Sequence, residues 1–263
     1  MIKKIKKELR QYVSTERRRS NEWFFKTGKG DYGEGDIFIG VRVPDIRMVA
    51  KKYRAVDLSI LKELLSSKIH EERSLALIIL VEQNQEAEND KNTSKQKKII
   101  KFYLKNRRQV NNWDLVDLSA HYILGQAILD GLYPEKILDK MVLSDNLWER
   151  RIAIISTFAF IKAGRVNLTL RLAKKLLKDK DDLIQKAVGW MLREAWKLGE
   201  FNKRKTPAEN KKGKISQKKV EKFLIKNYSQ IPRTTLRYAI ERMPEKKRKN
   251  FLKGEFDCKK RFN

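Results

Sequence analysis

Segment 111–125 reads NNWDLVDLSAHYILG, and in it an aspartate follows a tryptophan by four residues. On a helix that spacing puts Trp113 and Asp117 on one face, a turn apart. A carboxylate held beside an indole can stabilise a developing cation and orient or deprotonate a water. The spacing also admits a structural role: Asp117 could pair with a nearby arginine or accept from His121, again four residues away. Asp114 reads differently. Asn111 or Asn112 can cap the helix, which leaves Asp114 in its first turn, where the helix dipole favours a negative charge.

Two further segments hold residues of the right type. The first, 144–155, is SDNLWERRIAII. Asp145 or Asn146 can cap it, and Arg150 and Arg151 enter the first turns, either as surface charges or as phosphate contacts. The second, 183–196, is LIQKAVGWMLREAW. Gly189 in mid-helix costs about 1 kcal/mol against alanine, so close packing or close ligand approach must repay it. Trp190 beside it is either core or a nucleotide-facing ring. Lys186 lies four residues before Trp190 and is expected to contact phosphate rather than form a Schiff base.

Other chemistries find little support. A single cysteine, Cys258, rules out an internal disulfide and a cysteine-based metal cluster. The two histidines, His70 and His121, are far apart and form no HExxH pattern, so neither metal nor cofactor is expected. Charge is the strongest global signal: 61 Lys and Arg against 33 Asp and Glu give +28. Such a field attracts polyanions, nucleic acid first and an anionic membrane surface second. Surplus solvated lysine is the bland alternative. The apolar stretches 75–81 and 152–161 fall short of the ~20 residues of a membrane span. The N-terminal MIKKIKKELRQYV reads as a basic amphipathic helix without a signal-peptide core, so a cytoplasmic location is the default.

The elements that would position these residues are helices. Twelve glycines and five prolines are few for 263 residues, and strand-like alternation is hard to find. The Gly-rich stretch 27–40, TGKGDYGEGDIFIG, should interrupt a helix ending near Lys26. Pro44 should open the next helix, with Val43 extended before it. Apolar runs with a small residue at their centre then recur at 71–81, 112–124, 148–158, 183–192 and 234–243. Ala76, Ala120, Ala153 and Val188 are spaced by 44, 33 and 35 residues, the range of two-helix repeats. Stacked, such repeats predict an all-α curved solenoid with a concave basic face suited to duplex DNA. The expected organisation is one domain over 1–263, monomeric, with a basic insertion loop at 203–219 and a basic tail at 254–263.

The three site segments, in this order and spacing, resemble the AlkD-type DNA alkylation repair glycosylases, a family built from HEAT-like repeats. WDLVD, SDNLWERRIA and IQKAVGW carry the likeness, which runs from about Trp23 to about Trp196 and more weakly beyond. The resemblance implies that Asp117 is the essential carboxylate. It implies that Trp113 and Trp190 flank the lesion-bearing nucleotide and that Arg151 contacts the DNA backbone. An N-terminal aromatic should correspond to Trp23, Phe24 or Phe25. The implied partner is double-stranded DNA carrying alkylated bases. The implied reaction is hydrolysis of the glycosidic bond of cationic purines such as 3-alkyladenine or 7-alkylguanine, with the base read on a shallow face. A non-catalytic helical-repeat module that binds nucleic acid is the alternative, and a scaffold for an acidic protein partner is a weaker one. Either could keep the basic surface without Asp117.

Overall fold

The computed structural model describes residues 1–200 and 206–256. They form helices joined by short turns, with no strand among them. A lone parallel bridge pairs Ile37 with Ile69. The chain divides into two compact units, 1–133 and 134–263. No helix of the described residues is long and apolar enough to cross a membrane.

The first unit opens with α1 (Ile2–Leu9), the basic amphipathic helix expected. Ile5 and Leu9 are fully buried, while Lys6 and Arg10 reach the buried carboxylate of Glu72. Helix α2 (Thr15–Phe24) is capped by the Ser14 hydroxyl, which accepts from the Arg17 amide. It ends a little before Lys26, which takes the left-handed φ of 50°. At the far end of the Gly-rich stretch, Gly40 has φ +78°, and a Cβ there would lie 2.1 Å from the Ser14 carbonyl oxygen. Helix α3 (Val43–Lys52) follows. The extended residue before it is Arg42, at φ −74° and ψ 150°, and Val43 is already helical, contrary to expectation. The bias of a residue before proline is steric and partial, and a proline in the first turn has no amide to leave unpaired.

Next come α4 (Leu58–Leu65), α5 (His70–Asn89), α6 (Thr93–Lys105) and α7 (Trp113–Ala120). Helix α7 runs on through a π turn, His121–Gly125, into α8 (Gln126–Leu129). Helix α5 is the axis of the unit: it packs against α3, α4, α6 and α7. It is buried almost all round over residues 70–81, polar first turn included.

The second unit holds α9 (Lys136–Met141), α10 (Leu147–Lys162), α11 (Asn167–Leu176), α12 (Asp182–Lys197), α13 (Pro207–Lys226), α14 (Arg233–Ile240) and α15 (Glu245–Lys253). The recurring apolar runs fall on α5, α7, α10, α12 and α14. Ala76, Ala120, Ala153 and Val188 are all buried. These helices stack on one another within each unit: α5 on α7, then α10 on α12 and α12 on α14. Helices α4, α9, α11 and α13 flank them, as two-helix repeats require. Gly189 explains itself at the α12–α14 contact. A Cβ there would sit 2.5 Å from the Tyr238 Cβ and 2.7 Å from the Thr235 carbonyl oxygen. Close packing therefore repays the glycine.

The expected loop at 203–219 needs correction. Residues 203–205 lie outside the described residues, but 207–219 lie within helix α13. Thr206 and Glu209 form a reciprocal capping box and Pro207 opens α13. That cap, with the hydrophobic contacts of Val220 and Leu224, outweighs the repulsion among lysines that suggested a loop. The expected tail lies mostly outside the described residues, from 257 on. Gly254, at φ +76°, ends α15 in the left-handed conformation.

Candidate active site

Helix α7 begins where the sequence predicts, and Asn112 is its cap. The Asn112 Oδ1 accepts from the Trp113 amide at 2.8 Å, and its Nδ2 donates to Asp36 Oδ2 at 3.0 Å. Asp114 Oδ1 accepts from the Leu115 amide at 2.8 Å. Trp113 and Asp117 follow on one face, both half-buried. Behind them lies Tyr103, fully buried, its hydroxyl 3.1 Å from Ser119 Oγ. Burial drives the Tyr103 phenol far up, the Asp117 charge adds to that, and the Ser119 bond opposes it only in part. The phenol thus stays neutral at the carboxylate's back. Just beyond, Asn84 Nδ2 donates to the Tyr122 carbonyl in the π turn at 3.1 Å.

Aromatic rings form a ladder under Trp113. Its indole stacks on Phe25, centroids 5.1 Å apart and 15° between planes. Phe25 stacks on Phe38 at 4.9 Å, and Phe38 on His70 at 4.5 Å. Phe24 meets Trp113 edge-on at 5.8 Å. The three candidate N-terminal aromatics therefore divide. Phe25 is a packing partner of Trp113. Trp23 and Phe24 face solvent, Trp23 at 81% exposure. They border a cavity of about 450 Å³ with Lys26, Thr27 and Asp31.

At the foot of the ladder lies a polar cluster. His70 Nδ1 is 3.1 Å from Asp36 Oδ2, and Nε2 is 2.8 Å from Asp114 Oδ2. Arg73 Nη2 donates to Asp36 Oδ1 at 2.6 Å. Burial alone would lower the His70 pKa, but attraction to Asp114 and the bonds to Asp114 and Asp36 outweigh it and push it up to about 9. Burial would likewise raise Asp36, yet His70, Arg73 and Asn112 hold it below the usual carboxylate range. Next to this cluster, Glu71 accepts from the amides of Ile39, Gly40 and Val41 at 2.8–3.3 Å and fixes the end of the Gly-rich stretch. The sequence hints at none of this. His70 is 34 residues from Asp36 and 44 from Asp114, and no spacing rule links them.

The second unit holds the other candidates. Asn146, one of the two possible caps, accepts from the amides of Trp148 and Glu149. Arg150 binds Asp179 at 2.7 Å and the carbonyls of Ser144 and Asp145, tying two turns together. Arg151 is buried, 5% exposed, and donates to the Leu183 carbonyl at 2.6 Å. Lys186 pairs with Asp182 at 2.6 Å, both side chains largely exposed. Trp190 is half-buried, its ring 6.0 Å from that of Phe158. Lys162 lies over the other ring of this pair, 4.8 Å from the Phe158 centroid. Burial lowers the pKa of that ammonium.

Stacked helix pairs within each unit define an α-helical repeat protein. Residues 5–200 match the model of the DNA alkylation repair enzyme family, and the chain belongs to that family. Its class of function is therefore repair of alkylated DNA, with DNA as its partner. No curated protein matches the chain. Among solved structures, it is similar to a predicted DNA alkylation repair enzyme from Enterococcus faecalis. That likeness has a TM-score of 0.60 at 14% identity over 89% of this chain and 97% of the other. At so low an identity it speaks for the helical fold alone.

Proposed function

We propose that the protein is a monofunctional glycosylase that hydrolyses the glycosidic bond of alkylated, cationic purines in duplex DNA, with Asp117 as its catalytic carboxylate. The observation that carries this reading is the placement of Asp117 a turn from Trp113 on α7, in a chain with a net charge of +28. A carboxylate facing phosphates is unfavourable by charge alone, so its place calls for a cation that it can serve. Alkylation at ring nitrogen 3 or 7 makes the base such a cation and already a good leaving group. The bond to the sugar then breaks with little need of a general acid. What remains is an oxocarbenium-like sugar, which Asp117 stabilises, and a water, which it orients or deprotonates. Glycoside hydrolases need a second carboxyl group because their leaving group must be protonated. Here one suffices.

Trp113 would offer its indole to the cationic nucleotide for roughly 0.5–2 kcal/mol. Its stack on Phe25 supports that role by fixing the ring. Trp23 and Phe24, the exposed N-terminal aromatics, would then meet the DNA, and Phe25 would act through Trp113. In the second unit we assign Trp190 to the lesion-bearing nucleotide and Arg151, Arg150 and Lys186 to the backbone.

The test is release of free base from methylated duplex DNA. Wild type should release methylpurines, and Asp117→Asn should lose at least about a hundredfold in rate, the size of one electrostatic catalytic group, while binding DNA as tightly or more so. Equal release by both proteins, or none by wild type, would sink the assignment.

A further inference from the structure

Two segments distant in sequence meet on one imidazole in the first unit. The His70 ring is buried, with a carboxylate at each nitrogen: Asp36 Oδ2 at 3.1 Å from Nδ1 and Asp114 Oδ2 at 2.8 Å from Nε2. Only the doubly protonated ring can donate to both. A neutral ring would turn a lone pair toward one carboxylate and break that link. Arg73 Nη2 stands 3.5 Å from Nδ1 and opposes the ring charge, but the two carboxylates outweigh it. Asp36 comes from the Gly-rich stretch, Asp114 from α7 and Arg73 from α5 itself. With His70 charged, the four groups sum to zero. With it neutral, one negative charge is left over in a buried place, where uncompensated charge is costly. Asn112 joins the same cluster through Asp36, and the rings of Phe25 and Phe38 cover the imidazole at 5.1 and 4.5 Å.

The two carboxylates have consequential neighbours. Asp36 lies within the stretch 27–40, which starts two residues after Phe25. Asp114 follows Trp113 and precedes Asp117 by three residues on α7. We propose that His70 is a positioning residue: as an imidazolium it clamps the Gly-rich stretch to the start of α7, and so sets the Phe25–Trp113 stack and the aim of Asp117. The part that concerns Asp117 rests on the glycosylase reading; the clamp on Trp113 does not. Loss of the His70 proton opens one of the two links, and the indole environment changes with it.

Nuclear magnetic resonance on the isotope-labelled full chain tests this first with the clamp intact and then with one of its carboxylates removed. The His70 ring nitrogens and the Trp113 indole N–H, assigned with Trp113→Phe, are followed from about pH 6 to 10. They should titrate together, with a midpoint far above the ordinary histidine value. Asp114→Asn should lower that midpoint by about 1–3 units, the effect of removing a close opposite charge. A His70 that titrates near its ordinary value, or a Trp113 signal that stays still through the His70 titration, would overturn the clamp. Methylpurine release is measured over the same range. Its kcat should fall between about tenfold and a hundredfold through the midpoint, as expected when a reacting group is misplaced, with little change in affinity for undamaged duplex. A flat kcat despite a moving Trp113 signal overturns the link to Asp117. Coupled titration with no release at any pH supports the clamp and counts against the glycosylase reading instead.

Discussion

Arg150 and Lys186 are both proposed to contact DNA, but their present partners set what each can do. Lys186 holds Asp182 through an exposed i, i+4 pair. Such pairs are worth only about 0.3–0.5 kcal/mol, so a phosphate displaces the carboxylate at little cost. Arg150 is 17% exposed and engages Asp179 and two backbone carbonyls at once. Freeing it would disrupt two turns. We expect Lys186→Ala to reduce the slope of log affinity against log salt by about one, the yield of one phosphate contact, and to leave the melting temperature unchanged. Arg150→Ala should lower the melting temperature and change the slope less. Salt titrations of duplex binding, with melting curves for both variants, check the contrast; the opposite pattern would reverse the two roles. Residue types and i, i+4 spacing made Trp113, Asp117, Lys186 and Trp190 candidates in the sequence. They could not tell Arg150 from Arg151, because burial depends on which neighbouring helix covers each face.

Helices and their ends were the most legible level, for reasons of local chemistry. Asn112, Asn146 and the basic amphipathic α1 can be read from neighbours within four residues. In the 203–219 stretch the conspicuous lysines point to a loop, while the Thr206–Glu209 cap that starts a helix leaves a fainter trace. The sequence marks Gly189 as costly in a helix, but only the packed structure shows α14 against it. That contact makes a prediction. Gly189→Ala gains about 1 kcal/mol of helix propensity, yet its methyl must fit where backbone atoms already stand at 2.7 Å. Overpacking of this kind costs about 1–3 kcal/mol. A net loss of stability, read from urea unfolding, is expected. A more stable variant would show that α12 and α14 can part freely.

For the molecule as a whole, charge sets how stability depends on pH. The folded His70 pKa, about 9, lies above the ordinary 6.5. Its contribution is therefore present in full below about pH 6.5 and is lost as pH rises through about 9. Asp36 works in the other direction: held low, its contribution is present above the ordinary carboxylate value and fades in acid. Melting temperature should thus decline between about pH 6.5 and 9, and His70→Gln should flatten the decline. An unchanged slope in that variant would mean that another group governs it. The repeat fold could be read from composition and period. The His70 cluster could not, because it joins residues from three separate segments and leaves no periodic trace.

The π turn at His121–Gly125 has a separate consequence. A π turn amounts to one residue inserted into an α-helix, and each residue rotates a helix by about 100°. Ahead of it, Trp113 and Asp117 keep one rotational setting. Past it, Ala127 and Ile128 keep another, the one that buries them in the core. The two halves of this long helix can therefore answer to different demands, the first keeping Trp113 and Asp117 half-exposed and the second packing into the core. A single insertion or deletion at this point could re-aim one half against the other with every side chain unchanged.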